Sequence, residues 1–443
     1  MNLLLINPDL GAGQRAAKRY RRAWPPLDLL TMAALLRREG HAVRLIDARA
    51  ARTSAASIRR AAAEADLVLL QTSPLDRWQC PDLDLGGLWP LVRSLPLDRL
   101  ILAGAHGTLK PDFMLRESGA RALIRGEPEM AFLSLAQAGG RPEGLAGFSY
   151  ADGGAVVHEP EAGGAPLDDL PIPAYDLIDL SRYRYELLGP RLALLETSRG
   201  CPFSCRFCLK AMYGPVLRIK SLDRVLAEVE EVVDRQGAES VYFMDLEFTL
   251  GRERTLALCR GLEGRERPFR WCCQTRADAV DEELLIKMKA AGCALIHFGV
   301  ETGSERLLEA MEKKITLKQV QKAVDLCLRL GLKTACFFLF GLPGETEADR
   351  RATKALARRL NPTYASFHVA APYPGTAIAE GLGPGEPFPP CVGGAEALPR
   401  LGRAVRRAFL SFYLRPAYLR ARLAEGSLRD AWPRLKLFWE FIG

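Results

Sequence analysis

The chain has 443 residues, 48% of them hydrophobic and 26% charged, and carries a formal net charge of +8. That length exceeds what one hydrophobic core usually serves, and the composition excludes a disordered or fibrous chain. The charge is small for the length and gives no call for nucleic acid, and no apolar run is long enough to span a bilayer. The opening stretch MNLLLINPDL has no basic n-region or cleavage site and reads as a buried strand, so the cytoplasm is the expected location. Eleven cysteines without a secretory signal point to reduced thiols and one functional cluster, not to a disulfide framework.

In the first third, LLLIN (3–7), AVRLID (42–47), DLVLLQT (66–72), RLILAG (99–104) and ARALIRG (120–126) read as strands buried on both faces. Between the first two, PPLDLLTMAALLRREG (25–40) carries Leu29, Met32, Ala33 and Leu36 at helical spacing, with Gly40 as its stop. The alternation predicts a parallel, doubly wound α/β domain over residues 1–138, with its ligand beyond the carboxyl ends of the strands. Residues 139–190 are rich in Gly, Pro and acidic residues and read as a hairpin and an extended linker. From 191 to 382 the alternation resumes. LALLET, SVYFMDL, RWCCQT, ALIHFGV, TACFFLF and YASFHVA give six βα units of a partial (β/α)6 barrel, whose chemistry belongs at the carboxyl ends of its strands. Residues 383–443 are expected to form a helical extension. Its basic, aromatic run RAVRRAFLSFYLRPAYLRARL either closes the barrel or meets a membrane or greasy substrate.

Directly after the first barrel strand comes RGCPFSCRFCLK, in which Cys201, Cys205 and Cys208 stand at C-x3-C-x2-C spacing. Zinc takes a fourth Cys or His, and the nearest following histidine is His297. A [4Fe–4S] cluster on three thiolates leaves one iron open for a small chelating molecule. Zinc and three merely structural cysteines are the alternatives.

This motif resembles the signature of the radical S-adenosylmethionine (SAM) superfamily. VYFMDLEFTL, QTRADAVDEELLIKMKAAGCALIHFGVETGSERLL and FLFGLPGETE resemble its successive barrel strands. The resemblance implies a [4Fe–4S] cluster on Cys201, Cys205 and Cys208 whose open iron binds SAM and cleaves it to a 5′-deoxyadenosyl radical. It also implies Phe207 against the adenine, Asp245 and Glu247 near the amino group, Arg276 near the carboxylate and Glu301 near the ribose. An electron donor such as flavodoxin or ferredoxin is implied as a partner.

The front third followed by the barrel is similar to the cobalamin-binding radical SAM proteins. INP (6–8), PPLDLLTMAALLRREGHAVRLID (25–47), AGAHGT (103–108) and IRGEPE (124–129) carry that likeness. It implies cobalamin at Asn7 and Pro8, at Thr72, Ser73, Arg77 and Trp78, at Gly104, His106 and Thr108, and at Gly126 and Glu127. The loop NPDLGAGQ lacks the histidine of the D-x-H-x-x-G pattern, so the cobalt is expected to have no protein imidazole. Arg77 or Trp78 would cover its lower face, and His106 would anchor backbone or touch the corrin edge. The implied activity is methylation of an unactivated carbon in a small-molecule, lipid or peptide substrate. The alternatives are a radical cyclisation or rearrangement of the tetrapyrrole-cyclase kind, a cobalamin-free radical SAM enzyme, and a non-catalytic sensor. A methylthiotransferase would carry three more cysteines in the front third, which here holds only Cys80.

Overall fold

The computed structural model describes residues 1–9, 22–380, 382, 386–416 and 418–420. It divides into two compact units: one of residues 1–184, 191–202 and 209–238, the other of residues 185–190, 203–208 and 239–443.

In the first unit the predicted strands appear as β1 (Asn2–Asn7), β2 (Ala42–Asp47), β3 (Leu67–Gln71), β4 (Leu100–Ala103) and β5 (Ala122–Ile124). They pair in parallel in the order β2-β1-β3-β4-β5. Strand alternation explains why the runs are apolar throughout. Leu3, Leu5, Leu69 and Ile101 enter one core with Leu29, Met32 and Phe132 of helices Leu27–Arg38 and Pro128–Gln137. Leu4, Ile6, Val68 and Leu102, of opposite parity, are also buried. β2 departs from the expectation of burial on both faces. As an edge strand it leaves Ala42 and Arg44 exposed. The sheet order reverses between β1 and β3, and a doubly wound sheet binds its ligand at that switch point.

The hairpin does not stand apart from this sheet. β6 (Phe148–Asp152) pairs antiparallel with β5, and β7 (Ala155–His158) with β6. Gly153 and Gly154 both take positive φ, as a two-residue turn of the mirror-image type requires. The first unit therefore runs on past the expected boundary at residue 138.

All six downstream strands form: β8 (Leu192–Leu195), β9 (Ser240–Phe243), β10 (Arg270–Thr275), β11 (Cys293–Glu301), β12 (Lys333–Phe340) and β13 (Tyr364–Val369). β8 belongs to the first unit. In the second, β9 to β13 pair in parallel in chain order, each followed by at least one helix. β9 ends at Phe243, three residues short of the expected strand, where the loop bearing the acidic candidates begins. Ser221 caps its predicted helix by accepting from the Arg224 N–H, and the run finishes in a π-helical turn, Glu231–Arg235, before Gly237.

Helix Gly394–Tyr413 packs on β13 through Phe409 and Phe412 around Phe367, and the Tyr413 hydroxyl bonds both backbone groups of Ala365. The remainder of the basic run, residues 421–443, lies outside the described residues, as do residues 10–14 of the loop after β1. Among the described residues no helix is long and apolar enough to cross a membrane.

Candidate active site

The cysteine loop starts from a short antiparallel pair, Ser198–Arg199 with Arg218–Ile219. Gly200 turns out of it at φ +93°, where a Cβ would collide with the Val216 carbonyl, so only glycine passes. Cys201 is buried, Cys205 and Cys208 are half-buried, and no disulfide links any of the cysteines. Arg206 ties the Cys205–Cys208 half to the second unit: its N–H donates to Met311 O (3.0 Å) and its carbonyl accepts from Ile378 N (3.2 Å). Among the described residues no three His, Cys, Asp or Glu side chains stand as a ready metal-holding group. The donor chemistry nevertheless fits an iron–sulfur cluster: three thiols within eight residues, on a loop that a glycine opens.

Within the second unit, the carboxyl ends of β10 and β11 gather charge. Glu301 closes β11 at φ +67°, a left-handed conformation costly for a residue with a side chain, beside a register shift between Gly299 and Glu301. Its Oε1 accepts from Lys313 Nζ at 2.9 Å, and both side chains are buried. Gly299 makes that pair fit, since a Cβ there would overlap Glu301 Oε1 and lie 3.0 Å from Lys313 Nζ. Lys313 also sits 5.7 Å from the centre of the Phe207 ring. Burial works against its ammonium, but Glu301, Cys205 and Glu247 more than offset this and leave its pKa raised.

Arg276 is fully engaged. Its guanidinium grips Asp278 through two 2.9 Å bonds, donates to the carbonyls of Lys313 (2.9 Å) and Lys314 (3.1 Å), and stacks 4.0 Å from the centre of the Phe203 ring. Its N–H donates to Glu247 Oε2 at 2.7 Å. Burial lifts the Glu247 carboxyl to about 7 against the pull of Lys313 and Arg276. The structure thus joins Glu247, Arg276, Glu301 and Phe207 in one group. Asp245 is buried, and its charge acts on Arg254 and the Cys273 thiol instead. Lys313, Asp278, Phe203 and Gly299 belong to the group and escaped the sequence reading. Lys313 lies in a turn between two positive-φ residues, Glu312 and Lys314, with no motif to mark it.

In the first unit the switch-point loops are held tightly. Gly104, at φ +109°, lets the loop after β4 pass so close to Ser73 that a Cβ would stand 2.8 Å from its backbone N and O. The Ser73 hydroxyl accepts from Ala105 N at 2.8 Å, and the Thr72 hydroxyl donates to Ala103 O at 2.9 Å. Thr108 accepts from Gly126 N at 2.9 Å, joining the loops after β4 and β5. His106 is buried, with Nε2 2.8 Å from Asp82 O, and burial lowers its pKa so that it stays neutral. Backbone anchoring, one of the two roles expected of it, is what this contact provides. Asn7, Pro8 and Arg77 line one cleft with Trp24, Arg49 and Asp76.

Two candidates are placed differently from the expectation. Trp78 does not project from its loop. It is fully buried, donates Nε1–H to Ser73 O (3.1 Å) and meets Tyr213 edge-on at 5.3 Å, because its indole fills the space beneath the loop. Glu127 is spent on ion pairs. It accepts from Arg199 Nη1 at 2.7 Å and from Arg218. Arg199, 2% exposed, also donates to Glu129 (2.8 Å) and Glu196 (3.0 Å) and lies over the Trp78 ring. Burial raises the Glu196 carboxyl to about 7, with Arg199 and Lys220 pulling it down. Deeper still, burial and then Glu129 raise Asp28 to about 8, where Gln71 donates to it.

Comparison with known proteins gives this arrangement its context. The Radical SAM superfamily matches residues 195–357. An uncharacterized methyltransferase of Pyrococcus horikoshii is 30% identical over 441 residues, covering 95% of this chain and 94% of that protein. The anaerobic magnesium-protoporphyrin IX monomethyl ester cyclase of Rubrivivax gelatinosus is 29% identical over 296 residues, covering 64% of this chain and 53% of the cyclase. Among solved structures, the methyltransferase TsrM of Kitasatospora setae, with cobalamin and a [4Fe–4S] cluster bound, superposes with a TM-score of 0.68 at 23% identity. The match covers 85% of this chain and 74% of TsrM. The cobalamin-dependent radical enzyme OxsB, with aqua-cobalamin and SAM, gives 0.67 at 20%, covering 82% of this chain and 52% of OxsB. At these identities the two structures speak for the fold. The full-length match speaks for descent: the chain belongs to the radical SAM superfamily and is a radical SAM enzyme of the family that includes the Pyrococcus protein.

Proposed function

We propose that the protein is a cobalamin-dependent methyltransferase that methylates an unactivated carbon of a small-molecule, lipid or peptide substrate. The observation that carries this reading is the near end-to-end match to a protein named as a methyltransferase, which takes in the switch-point sheet as well as the cysteine loop. When bound, the cluster and SAM supply a carbon-centred radical, and cobalamin supplies a transferable methyl group.

The chain's part is binding, orientation and exclusion of water. Cys201, Cys205 and Cys208 are the cluster ligands in this reading. Phe207, beside Lys313, offers an apolar face to the SAM adenine, and the Glu301–Lys313 pair offers a carboxylate to its ribose. Arg276 already spends its donors on Asp278 and two carbonyls, so it shapes the site through Glu247 and the 313–314 turn. In the first unit, Asn7, Pro8 and Arg77 face the cleft where cobalamin is proposed to dock, with Thr72, Ser73, Gly104, Thr108 and Gly126 shaping the loops behind it. Of the two residues of the loop after β3, Arg77 would be the one to contact bound cobalamin, since Trp78 is buried beneath the loop. His106, held on the Asp82 carbonyl, supports a cobalt without a protein imidazole. An electron donor of the flavodoxin or ferredoxin kind completes the system.

The test is turnover of methyl-deuterated SAM by the anaerobically reconstituted chain in an extract of small metabolites, lipids and peptides. A methyltransferase forms S-adenosylhomocysteine together with 5′-deoxyadenosine and labels a product by one CD3 group. Formation of 5′-deoxyadenosine alone, with an unlabelled product, would favour the cyclisation that the match to the tetrapyrrole cyclase supports.

A further inference from the structure

Helix Gly394–Tyr413 has two faces of opposite character. Leu401, Ala408, Phe409 and Phe412 are buried, and the aromatic pair packs on β13. On the other side, Arg403, Arg407, Leu410 and Leu414 follow one another at i, i+4, i+7 and i+11, which aligns them on one stripe of a helix of 3.6 residues per turn. Arg400 and Arg406 flank the stripe. All four arginines are exposed, and Leu414 is 54% exposed. None of the four arginines takes part in an ion pair among the described residues. From residue 397 to 420 the chain has six arginines and no lysine, aspartate or glutamate. The helix is pinned at its far end, where Arg415 bonds Arg358 O (3.0 Å) and Asn361 Oδ1 (3.0 Å), so the stripe is held outward.

We propose that this face docks on an anionic lipid bilayer surface. Four guanidiniums without an ion pair among the described residues match the phosphates of anionic headgroups, which planar guanidinium pairs bidentately. The two leucines in the same stripe are what an interfacial helix places at the boundary of headgroups and acyl chains. An acidic protein would satisfy the arginines but leave that apolar end uncovered. Such docking brings the enzyme to the surface where lipid-borne substrates are held, and it needs no cofactor.

The experiment is co-sedimentation of the full chain with vesicles of phosphatidylglycerol and phosphatidylcholine, and with vesicles of phosphatidylcholine alone, at low and at physiological salt. Binding is expected only to the anionic vesicles, weakening as salt rises. Each arginine at such a surface strengthens partitioning by roughly fivefold, so Arg403→Gln with Arg407→Gln lowers it by about 25-fold. Leu414→Ser lowers it by a further few-fold at unchanged salt dependence. All these sites are exposed, and an unaltered circular dichroism spectrum and melting temperature verify that each variant folds. Absence of binding to the anionic vesicles, equal binding to both vesicle types, or full binding by the double arginine variant would overturn the proposal. So would capture of an acidic flavodoxin through these arginines without vesicle binding, which would assign the face to a protein partner.

Discussion

Two buried charge groups among the described residues are built alike and strained differently. In the first unit Arg199 is ringed by Glu127, Glu129 and Glu196 at 2.7–3.0 Å, on backbone that the strand pair holds in an ordinary conformation. In the second, Lys313 meets Glu301, but Glu301 sits at positive φ, Lys313 is flanked by two more such residues, and the pair fits only because Gly299 has no side chain where they lie. Backbone strain persists only where the surrounding structure over-determines it, and it collects at sites that bind and react. The Arg199 group is thus the one that holds loops together, and the Lys313 group the one that we propose for the ligand.

The comparison breaks most visibly at Arg199. Arg199→Ala leaves three carboxylates buried around an empty place and is expected to destabilise the first unit by about 3–5 kcal/mol. Arg199→Met, which fills the volume, should cost less when both are compared by urea denaturation. Equal loss of stability in both would show that the charge and not the filled volume matters, and no loss in either would show that the carboxylates do not depend on the guanidinium.

Lys313→Met likewise leaves a buried carboxylate, that of Glu301, without its charge partner and should cost stability, but here ligand binding should suffer as well. Loss of one hydrogen bond to a charged group is worth roughly 1.5–3 kcal/mol, so SAM affinity should fall by about 10- to 100-fold. Isothermal titration of the cluster-loaded protein measures it. Gly299→Ala tests the same pair without touching a charge. Crowding of Glu301 and Lys313 should cost about 1–3 kcal/mol and weaken SAM binding in parallel.

The last effect concerns pH. Asp28 is held at about 8 against an ordinary 3.8, and Glu196 at about 7 against 4.5. Both folded-state values are raised, so across those windows the folded chain keeps protons that the unfolded chain has shed, and stability falls as pH rises from about 4 to about 8. The melting temperature should drop over that range, and Asp28→Asn should flatten the slope above pH 7, where Glu196 no longer contributes. A melting temperature that climbs from pH 5 to pH 8 would reverse the assignment.

The parts of this architecture that were legible in the sequence are those written by local rules. Strands buried on both faces show as continuous apolar runs, and a three-cysteine loop after a strand shows as spacing. Glu247, Arg276 and Glu301 could be singled out because the resemblance gave roles to the ends of strands that the apolar runs already marked. The rest depends on tertiary contact. Lys313 lies in an unmarked turn twelve residues beyond the glutamate it pairs with. Trp78 reads as a loop aromatic but is buried under that loop, against Tyr213 more than a hundred residues on. Glu127 looks like a loop acid on a ligand face, and its partner is Arg199. The hairpin joins the front sheet through pairing that the Gly- and Pro-rich composition of its surroundings conceals.

The central claim, a radical SAM enzyme that carries cobalamin on a separate sheet, is tested most directly by metal analysis. The protein is reconstituted anaerobically with iron, sulfide and hydroxocobalamin, beside its Cys205→Ala variant. The account predicts about four irons and about one cobalt per chain in the parent, and cobalt without the intact cluster in the variant. Iron without cobalt in the parent, or a full cluster in the variant, would contradict it.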